Sequence, residues 1–224
     1  MKKRWIGLCV VVVLGLVIMP LSGWAEGNVA AGLKAGTLGI GPEIGFAFSK
    51  YVGARIGFNY LPFSYSGEKG DVEYDLDLNL QNVFAILDVH PFKNALRLSG
   101  GLFYNGNSLD AKGKPSSGTF TIGDHKYPAA LVGNLKGDID FNDFAPYCGL
   151  GIDTTFGKER DFGLSLELGV LYQGSPNVSL TSDGPLSNDR IFLNDLAKEE
   201  AKLKDDLENF KFYPVISVGI TYRF

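Results

Sequence analysis

Cysteine and histidine are scarce in this chain of 224 residues, which contains two of each. Cys9 lies in the apolar N-terminal stretch, so an exported chain that has lost this stretch keeps only Cys148 and forms no internal disulfide. His90 and His125 are expected in exposed loops and are too few for a metal site or for a His-activated nucleophile. The sequence therefore predicts no metal, no cofactor and no enzymatic activity.

Long apolar runs are missing from the chain after its N-terminal stretch. No later stretch reaches the roughly 18 apolar residues that a membrane helix needs. The N-terminus itself has basic residues at positions 2–4, an apolar run at 5–21 and small residues around Ala25. This order is typical of a secretory signal, so residues 1–25 are predicted to be cleaved. A retained anchor is the less favoured interpretation, because glycines break the apolar run.

A linker is also missing, since no Pro- or Ser-rich segment divides 26–224, which we therefore interpret as one domain. The formal net charge of −4 becomes about −7 without the three basic residues of the leader, which argues against nucleic-acid binding. Glycine is abundant, at 29 residues, as are Phe and Tyr, at 16 and 10. An exported chain of this composition without a membrane helix is typical of a transmembrane β-barrel.

The C-terminal stretch 214–224 alternates without interruption between an apolar face and a face of small polar residues. The apolar face carries Ile216, Val218, Ile220, Tyr222 and Phe224, and the other face carries Ser217, Gly219, Thr221 and Arg223. A water-exposed face would usually hold more charge, so a small polar barrel interior fits better. The terminal aromatic residue resembles the signal that the barrel assembly machinery reads, which makes that machinery an expected partner.

Seven upstream stretches alternate in a similar way, which predicts an all-β, eight-stranded antiparallel transmembrane barrel. The predicted strands are 29–36, 43–49, 52–63, 74–89, 96–107, 139–156, 162–172 and 214–224. Their connections alternate between short and long, which places 65–72, 111–137 and 174–212 outside the cell. A minor hairpin is expected around 119–132.

The last outer connection is predicted to contain an amphipathic helix over 194–210, with Asn194 as its N-cap. Two roles remain open for this helix: covering the barrel rim, or binding a partner and gating.

The inward faces of the predicted strands carry a nearly balanced set of charges, which is the candidate functional site. Its members are Lys34, Glu43, Arg55, Asp75, Asp77, Arg97, Asp153, Glu167 and Arg223. Because unpaired charges are costly in a narrow lumen, one interpretation is a salt-bridged plug. The other is a path in which pairs exchange partners, with acidic residues at 73–77 near the outer mouth favouring cations.

Several of these segments are similar, in order and spacing, to the CarO-type outer-membrane proteins. The segments are Tyr74–Asp77 with Gln81–Phe84, Ala145–Gly151, Gly174–Thr181 and the closing strand. The resemblance implies an eight-stranded barrel linked to uptake of ornithine and other basic amino acids and to carbapenem susceptibility. The charged helix at 194–210 and the shorter loops depart from that family, so the solute is not carried over.

The predicted function is a narrow channel for passive uptake of small cationic solutes across the outer membrane of a Gram-negative bacterium. The alternative is a non-conducting structural or surface-interaction barrel that binds lipopolysaccharide or a host ligand. The expected partners are outer-membrane lipid, lipopolysaccharide and a small solute, and the barrel is expected to be a monomer.

Overall fold

A computed structural model describes residues 28–69, 72–115, 118–156 and 162–224 of the chain. The predicted signal, 1–25, lies outside the described residues. The strands are β1 (Val29–Gly36), β2 (Gly39–Ala47), β3 (Val52–Lys69), β4 (Val72–Val89), β5 (Leu96–Asn105), β6 (Ser108–Pro115), β7 (Thr119–Ile122), β8 (His125–Pro128), β9 (Leu135–Asp140), β10 (Phe144–Asp153), β11 (Phe162–Tyr172), β12 (Asn177–Ser182) and β13 (Phe212–Arg223). The helices are α1 (Ala129–Val132) and α2 (Arg190–Asp206), with 3₁₀ turns at Pro185–Asn188 and Glu208–Lys211.

Eight strands close into an antiparallel barrel, as predicted. Around the barrel their order is β1, β2, β3, β4, β5, β10, β11 and β13, and β13 pairs back onto β1. The closing pair places Lys34 opposite Gly219 and Ala30 opposite Arg223. We call the end of the barrel that holds the chain's C-terminus the lower end and the opposite end the upper end.

The outward face of the barrel is a continuous apolar band with aromatic pairs at both edges. Tyr104 contacts Phe144, with ring centroids 5.7 Å apart, at the upper edge, and Phe162 contacts Tyr222 at 4.6 Å at the lower edge. The 11 residues of β11 run from one edge to the other. At about 3.3 Å per residue and the usual tilt of barrel strands, they span about 25 Å, the height of the apolar band in outer-membrane barrels.

One side of the barrel wall continues upward beyond this band. Strands β3 and β4 have 18 residues each, and their upper halves extend past the ends of β2 and β5. Strands β6, β9 and β12 continue the sheet in the order β12, β9, β6, β4. We call this part, formed by 61–80 with β6, β9 and β12, the extension.

A small group of elements packs on the extension, and we call it the cap: the hairpin β7–β8, α1 and α2. Its core consists of Ile122, Val132, Phe192 and Leu196, which are at most 4% exposed. Leu135 of β9 and Leu180 of β12 pack against this core. The cap therefore covers the β9–β12 side of the sheet. Among the described residues, no helix is both long and apolar enough to cross a membrane.

The upper segments differ from the sequence prediction in several places. The predicted outer loop 65–72 is mostly strand, since β3 runs to Lys69 and β4 begins at Val72, and the predicted loop 174–212 contains β12. The predicted strand 139–156 is two strands, β9 and β10, because the chain leaves the extension at 141–143 and enters the barrel. The predicted loop 111–137 contains most of β6, the start of β9 and, as expected, a hairpin at 119–128. Helix α2 starts at Arg190 and not at Asn194, because the Asp189 side chain accepts hydrogen bonds from Ile191 N and Phe192 N.

Candidate functional site

Three layers of side chains fill the barrel lumen between its lower and upper ends. The lowest, the charged layer, consists of Lys34, Glu43, Arg55, Asp88, Arg97, Asp153, Glu167 and Arg223, none more than 7% exposed. The middle, the apolar layer, consists of Leu38, Phe84, Ile86, Phe103, Ala145, Tyr147, Leu171 and Val215. The uppermost, the amide layer, consists of Asn82, Asn107 and Gln173. An eight-stranded barrel is only wide enough for its own side chains, so these layers form a packed core.

Arg55 of β3 is the centre of the charged layer and contacts three carboxylates from three other strands. Its Nη1 lies 3.1 Å from Glu43 Oε2 and 2.9 Å from Glu167 Oε2. Its Nε lies 2.5 Å from Asp88 Oδ2, and its Nη2 donates to Asp88 Oδ1 at 3.1 Å. Ser99 also donates to Asp88 Oδ1. One guanidinium thus ties β2, β4 and β11 to β3.

Arg97 of β5 is the second bridge and shares Glu167 with Arg55. Its Nη2 lies 3.1 Å from Glu167 Oε2, and its Nη1 lies 3.5 Å from Asp153 Oδ2. Its Nε is 3.9 Å from Asp88 Oδ1. Because both arginines use the same Glu167 oxygen, the two sets of ion pairs form one network across the lumen.

Lys34 and Arg223 complete the charge balance of four cations and four carboxylates. Lys34 Nζ lies 3.4 Å from Glu43 Oε2 and 3.7 Å from the centroid of the Phe84 ring, where it also makes a cation–π contact. Arg223 lies over the ring of Phe156 at 5.5 Å. A buried set of equal and opposite charges with short contacts is the arrangement in which buried charges are tolerated.

The apolar layer is built around three aromatic rings in contact with one another. Phe84 and Phe103 have ring centroids 5.3 Å apart, and Phe103 and Tyr147 are also 5.3 Å apart. The Tyr147 hydroxyl donates to Glu167 Oε1 at 2.5 Å, so the polar tip of this ring reaches into the charged layer. The rings therefore lie directly on top of the ion-pair network.

Inward-facing glycines make the space that these rings occupy. A Cβ on Gly149 or Gly169 would lie 2.2 or 2.4 Å from the Tyr147 hydroxyl oxygen, and a Cβ on Gly57 would lie 2.4 Å from the Phe84 ring. Side chains at these three positions would collide with the apolar layer. The high glycine content of the chain thus serves the packing of a narrow barrel as well as its turns.

The amide layer links the top of the lumen to the 3₁₀ turn that follows α2. Asn82 Nδ2 donates to Asn107 Oδ1 at 3.0 Å, and Asn107 Nδ2 donates to Gln173 Oε1 at 3.4 Å. Gln173 Nε2 in turn donates at 2.9 Å to the carbonyl oxygen of Phe210, in the 3₁₀ turn after α2. These hydrogen bonds connect β4 with the segment that leads into β13.

The lower end is covered by a stack of His90 on Phe156, with ring centroids 3.3 Å apart and planes within 5°. His90 is 2% exposed, so the expectation that it lies in an exposed loop is wrong. A cavity of about 30 Å³ is lined by these two rings and by charged-layer residues that include Arg55 and Arg97. That volume holds about one or two water molecules.

Comparison with known proteins gives structural matches only. No family model matches the chain, and no curated protein matches it. The crystal structure of Acinetobacter baumannii CarO2 matches with a TM-score of 0.60 and 25% identity, over 90% of this chain and 100% of that one. Acinetobacter baumannii CarO matches with a TM-score of 0.58 and 27% identity, over 88% of this chain and 98% of that one.

The chain has the CarO-type eight-stranded barrel fold. This fold indicates an outer-membrane barrel protein and is typical of proteins without enzymatic activity. The resemblance identified from the sequence segments is thereby confirmed over 88–90% of this chain.

Seven of the nine predicted site residues come together in the charged layer of this CarO-type barrel. They are Lys34, Glu43, Arg55, Arg97, Asp153, Glu167 and Arg223. That these seven residues act as a plug or as a solute path stays a prediction.

Asp75 and Asp77 do not belong to the lumen, contrary to the sequence interpretation. Pairing of β3 with β4 is uninterrupted from Val52 opposite Val89 to the top of the extension, so each face of β4 keeps its parity. Both aspartates therefore share a face with Leu87, which points away from the lumen and is 59% exposed. Asp75 accepts from Ser66 at 2.8 Å and pairs with Lys114 of β6 at 3.0 Å.

Asp88 is the member of the charged layer that the sequence interpretation missed. The alternation of β4 is weak from position 82 onward because the apolar layer contributes Phe84 and Ile86 to the inward face, while the outward face is apolar as well. The usable signal was the lone carboxylate between Leu87 and Val89, since a charge is not placed among lipid-facing residues.

A second polar cluster lies above the barrel and joins two parts of the cap. Asp195 of α2 is 1% exposed, and its Oδ2 lies 2.5 Å from His125 Nδ1 and 2.8 Å from the Tyr127 hydroxyl. Lys198 Nζ lies 3.2 Å from Asp195 Oδ1 and 2.8 Å from Asp124 Oδ2. Hydrogen bonds from His125 and Tyr127 lower the pKa of Asp195 to about 2. We call these residues the clasp, because they join the β7–β8 hairpin to α2.

Proposed function

We propose that this protein is an outer-membrane barrel whose lumen is closed, and that it anchors the extension and the cap at the cell surface. The observation that carries the proposal is the charged layer, in which Arg55 and Arg97 bridge carboxylates from opposite sides of the lumen. A solute that enters has to separate these pairs while they are almost completely shielded from water. Separating one partner of a buried pair is strongly unfavourable.

The outward face supports the placement in the outer membrane. Its apolar band is about 25 Å high between the aromatic pairs, as in outer-membrane barrels. With the C-terminus in the periplasm, the extension and the cap project from the outer leaflet, where lipopolysaccharide or a host ligand is the proposed contact. The barrel is proposed to act as a monomer.

A narrow channel for small cationic solutes is the second candidate. It is favoured by the sharing of Arg55 among three carboxylates, since a shared cation can exchange partners without being left unpaired. The acidic residues Asp75 and Asp77 no longer support a preference for cations, because they point away from the lumen.

Planar-bilayer recording of the purified protein separates the two candidates. We expect no current steps above those of the lipid alone, while a general-diffusion porin inserted under the same conditions gives discrete steps. Liposomes that contain the protein are expected to swell in lysine no faster than protein-free liposomes. Current steps, or faster swelling in lysine than in an uncharged solute of equal size, would replace the closed barrel with the channel.

A further inference from the structure

The apolar layer blocks the lumen at a different height and by different chemistry from the charged layer. Phe84, Phe103 and Tyr147 are 2%, 1% and 4% exposed, and they come from three strands of the barrel wall, β4, β5 and β10. Leu171 of β11 and Val215 of β13 pack in the same cluster. The layer therefore spans the lumen between strands on several sides.

This layer excludes ions without using charge. An ion that passes it has to shed hydration water among rings and aliphatic side chains, which is how hydrophobic constrictions close channels. The charged layer closes the lumen differently, through ion pairs that an incoming ion can in principle replace. The two layers thus resist the passage of ions for independent physical reasons.

We propose that the apolar layer is a second seal in series with the charged layer, so that opening either layer alone leaves the barrel non-conducting. This inference rests on the proposed closed barrel and specifies which layers of the lumen close it. Tyr147 connects the seals, because its ring belongs to the apolar layer and its hydroxyl donates to Glu167. A route for solutes requires both layers to rearrange.

Two groups of substitutions open the layers one at a time. Arg55→Ser with Asp88→Ser removes the shortest ion pair of the charged layer and keeps the lumen neutral, since one cation and one carboxylate are lost. Phe84→Ala with Phe103→Ala removes two of the three aromatic rings of the apolar layer, namely the stacked pair. A third protein carries all four substitutions.

Control substitutions make comparable changes away from the lumen, an ion pair removed in one case and a large apolar side chain truncated in the other. Lys114→Ser with Asp75→Ser removes an ion pair of the extension. Leu102→Ala truncates an outward-facing neighbour of Phe103 that is 46% exposed. Each protein is recorded in planar bilayers only after its folded state is established by circular dichroism and by the gel-mobility difference between unheated and heated samples.

The expected result is current at the lipid background for the wild type, both controls and each single-layer variant, with discrete current steps only for the four-substitution protein. If that protein does not fold, the three-substitution protein with Phe103→Ala as its only apolar-layer change takes its place and is expected to conduct. Steps from the wild type would overturn the closed barrel itself. A silent wild type with steps from either single-layer variant, or a folded combined variant without steps, would overturn the second seal alone.

Discussion

The lower and upper halves of β4 belong to one uninterrupted strand, yet they carry their charged residues on opposite faces. In the lower half, Asp88 points into the lumen and Leu87 points outward. In the upper half, Asp75 lies on the outward side and Leu76 on the side that continues the lumen. The surroundings explain the reversal: the barrel is bounded by an apolar band, whereas the extension has its outer side in water and part of its inner side under the cap.

Charged pairs in the two halves should therefore differ most in their contribution to stability. Arg55→Ala leaves Glu43, Asp88 and Glu167 buried without their shared cation, and we expect it to destabilise the barrel by about 3–5 kcal/mol. Urea unfolding in lipid bilayers, monitored by far-UV circular dichroism, measures this change in stability. The double variant Arg55→Ser with Asp88→Ser should lose less stability than Arg55→Ala, because it removes one cation together with one carboxylate. An equal loss of stability would contradict the interpretation that the charged layer is stabilised by its neutrality.

Glycines on the two faces of the barrel wall give the next largest contrast. Gly169→Ala places a Cβ 2.4 Å from the Tyr147 hydroxyl oxygen and should cost about 1–3 kcal/mol through overpacking of the apolar layer. Gly100→Ala is the matched control, because its Cβ meets only the Tyr147 carbonyl oxygen, at 3.9 Å. The same urea assay compares the two variants, and equal midpoints would remove the packing argument.

The clasp is expected to give a smaller and local effect, confined to the cap. The pKa of Asp195 is lowered to about 2, whereas an aspartate in an unfolded chain has a pKa of about 3.9. A lowered pKa in the folded state adds stability at a pH above the unfolded value, and this stability disappears as the pH falls through the folded value. Protection of the β7–β8 hairpin amides, measured as exchange relative to the intrinsic rate at each pH, should stay high down to a pH of about 4 and fall toward a pH of about 2.

Asp195→Asn serves as the control for this pH dependence. Without an ionisable group at position 195, the hairpin should exchange faster at neutral pH and lose the acid transition, while exchange in the barrel strands is unchanged. An acid transition that persists in this variant would show that another group controls the cap.

The smallest effect is expected for the exposed pair of the extension. Lys114→Ala should leave the unfolding midpoint unchanged within error, because Lys114 and Asp75 are both in contact with water. A loss comparable to that of Arg55→Ala would contradict the placement of Asp75 outside the lumen.

Much of the fold was predictable because a membrane-spanning strand has one apolar face and alternates residue by residue. The parity of β1, β11 and β13 correctly placed Lys34, Glu167 and Arg223 inside. The alternation of β4 led to the wrong assignment of Asp75 and Asp77 to the lumen. The upper half of β4 alternates as clearly as a membrane strand, but its charged residues lie on the outward face. Asp88 was missed in the lower half because both of its faces are apolar near Phe84 and Ile86.

Local alternation was enough to predict the eight-stranded barrel and the inward direction of most of its charges. Which charges meet depends on barrel closure, since Arg55 and Glu167 are 112 positions apart and share a contact only because the barrel closes. The height at which the apolar band ends and the extension begins depends on which strands run alongside β3 and β4, and no local pattern of residues shows it. A charged residue on a strand indicates the inward face of the barrel only below that boundary.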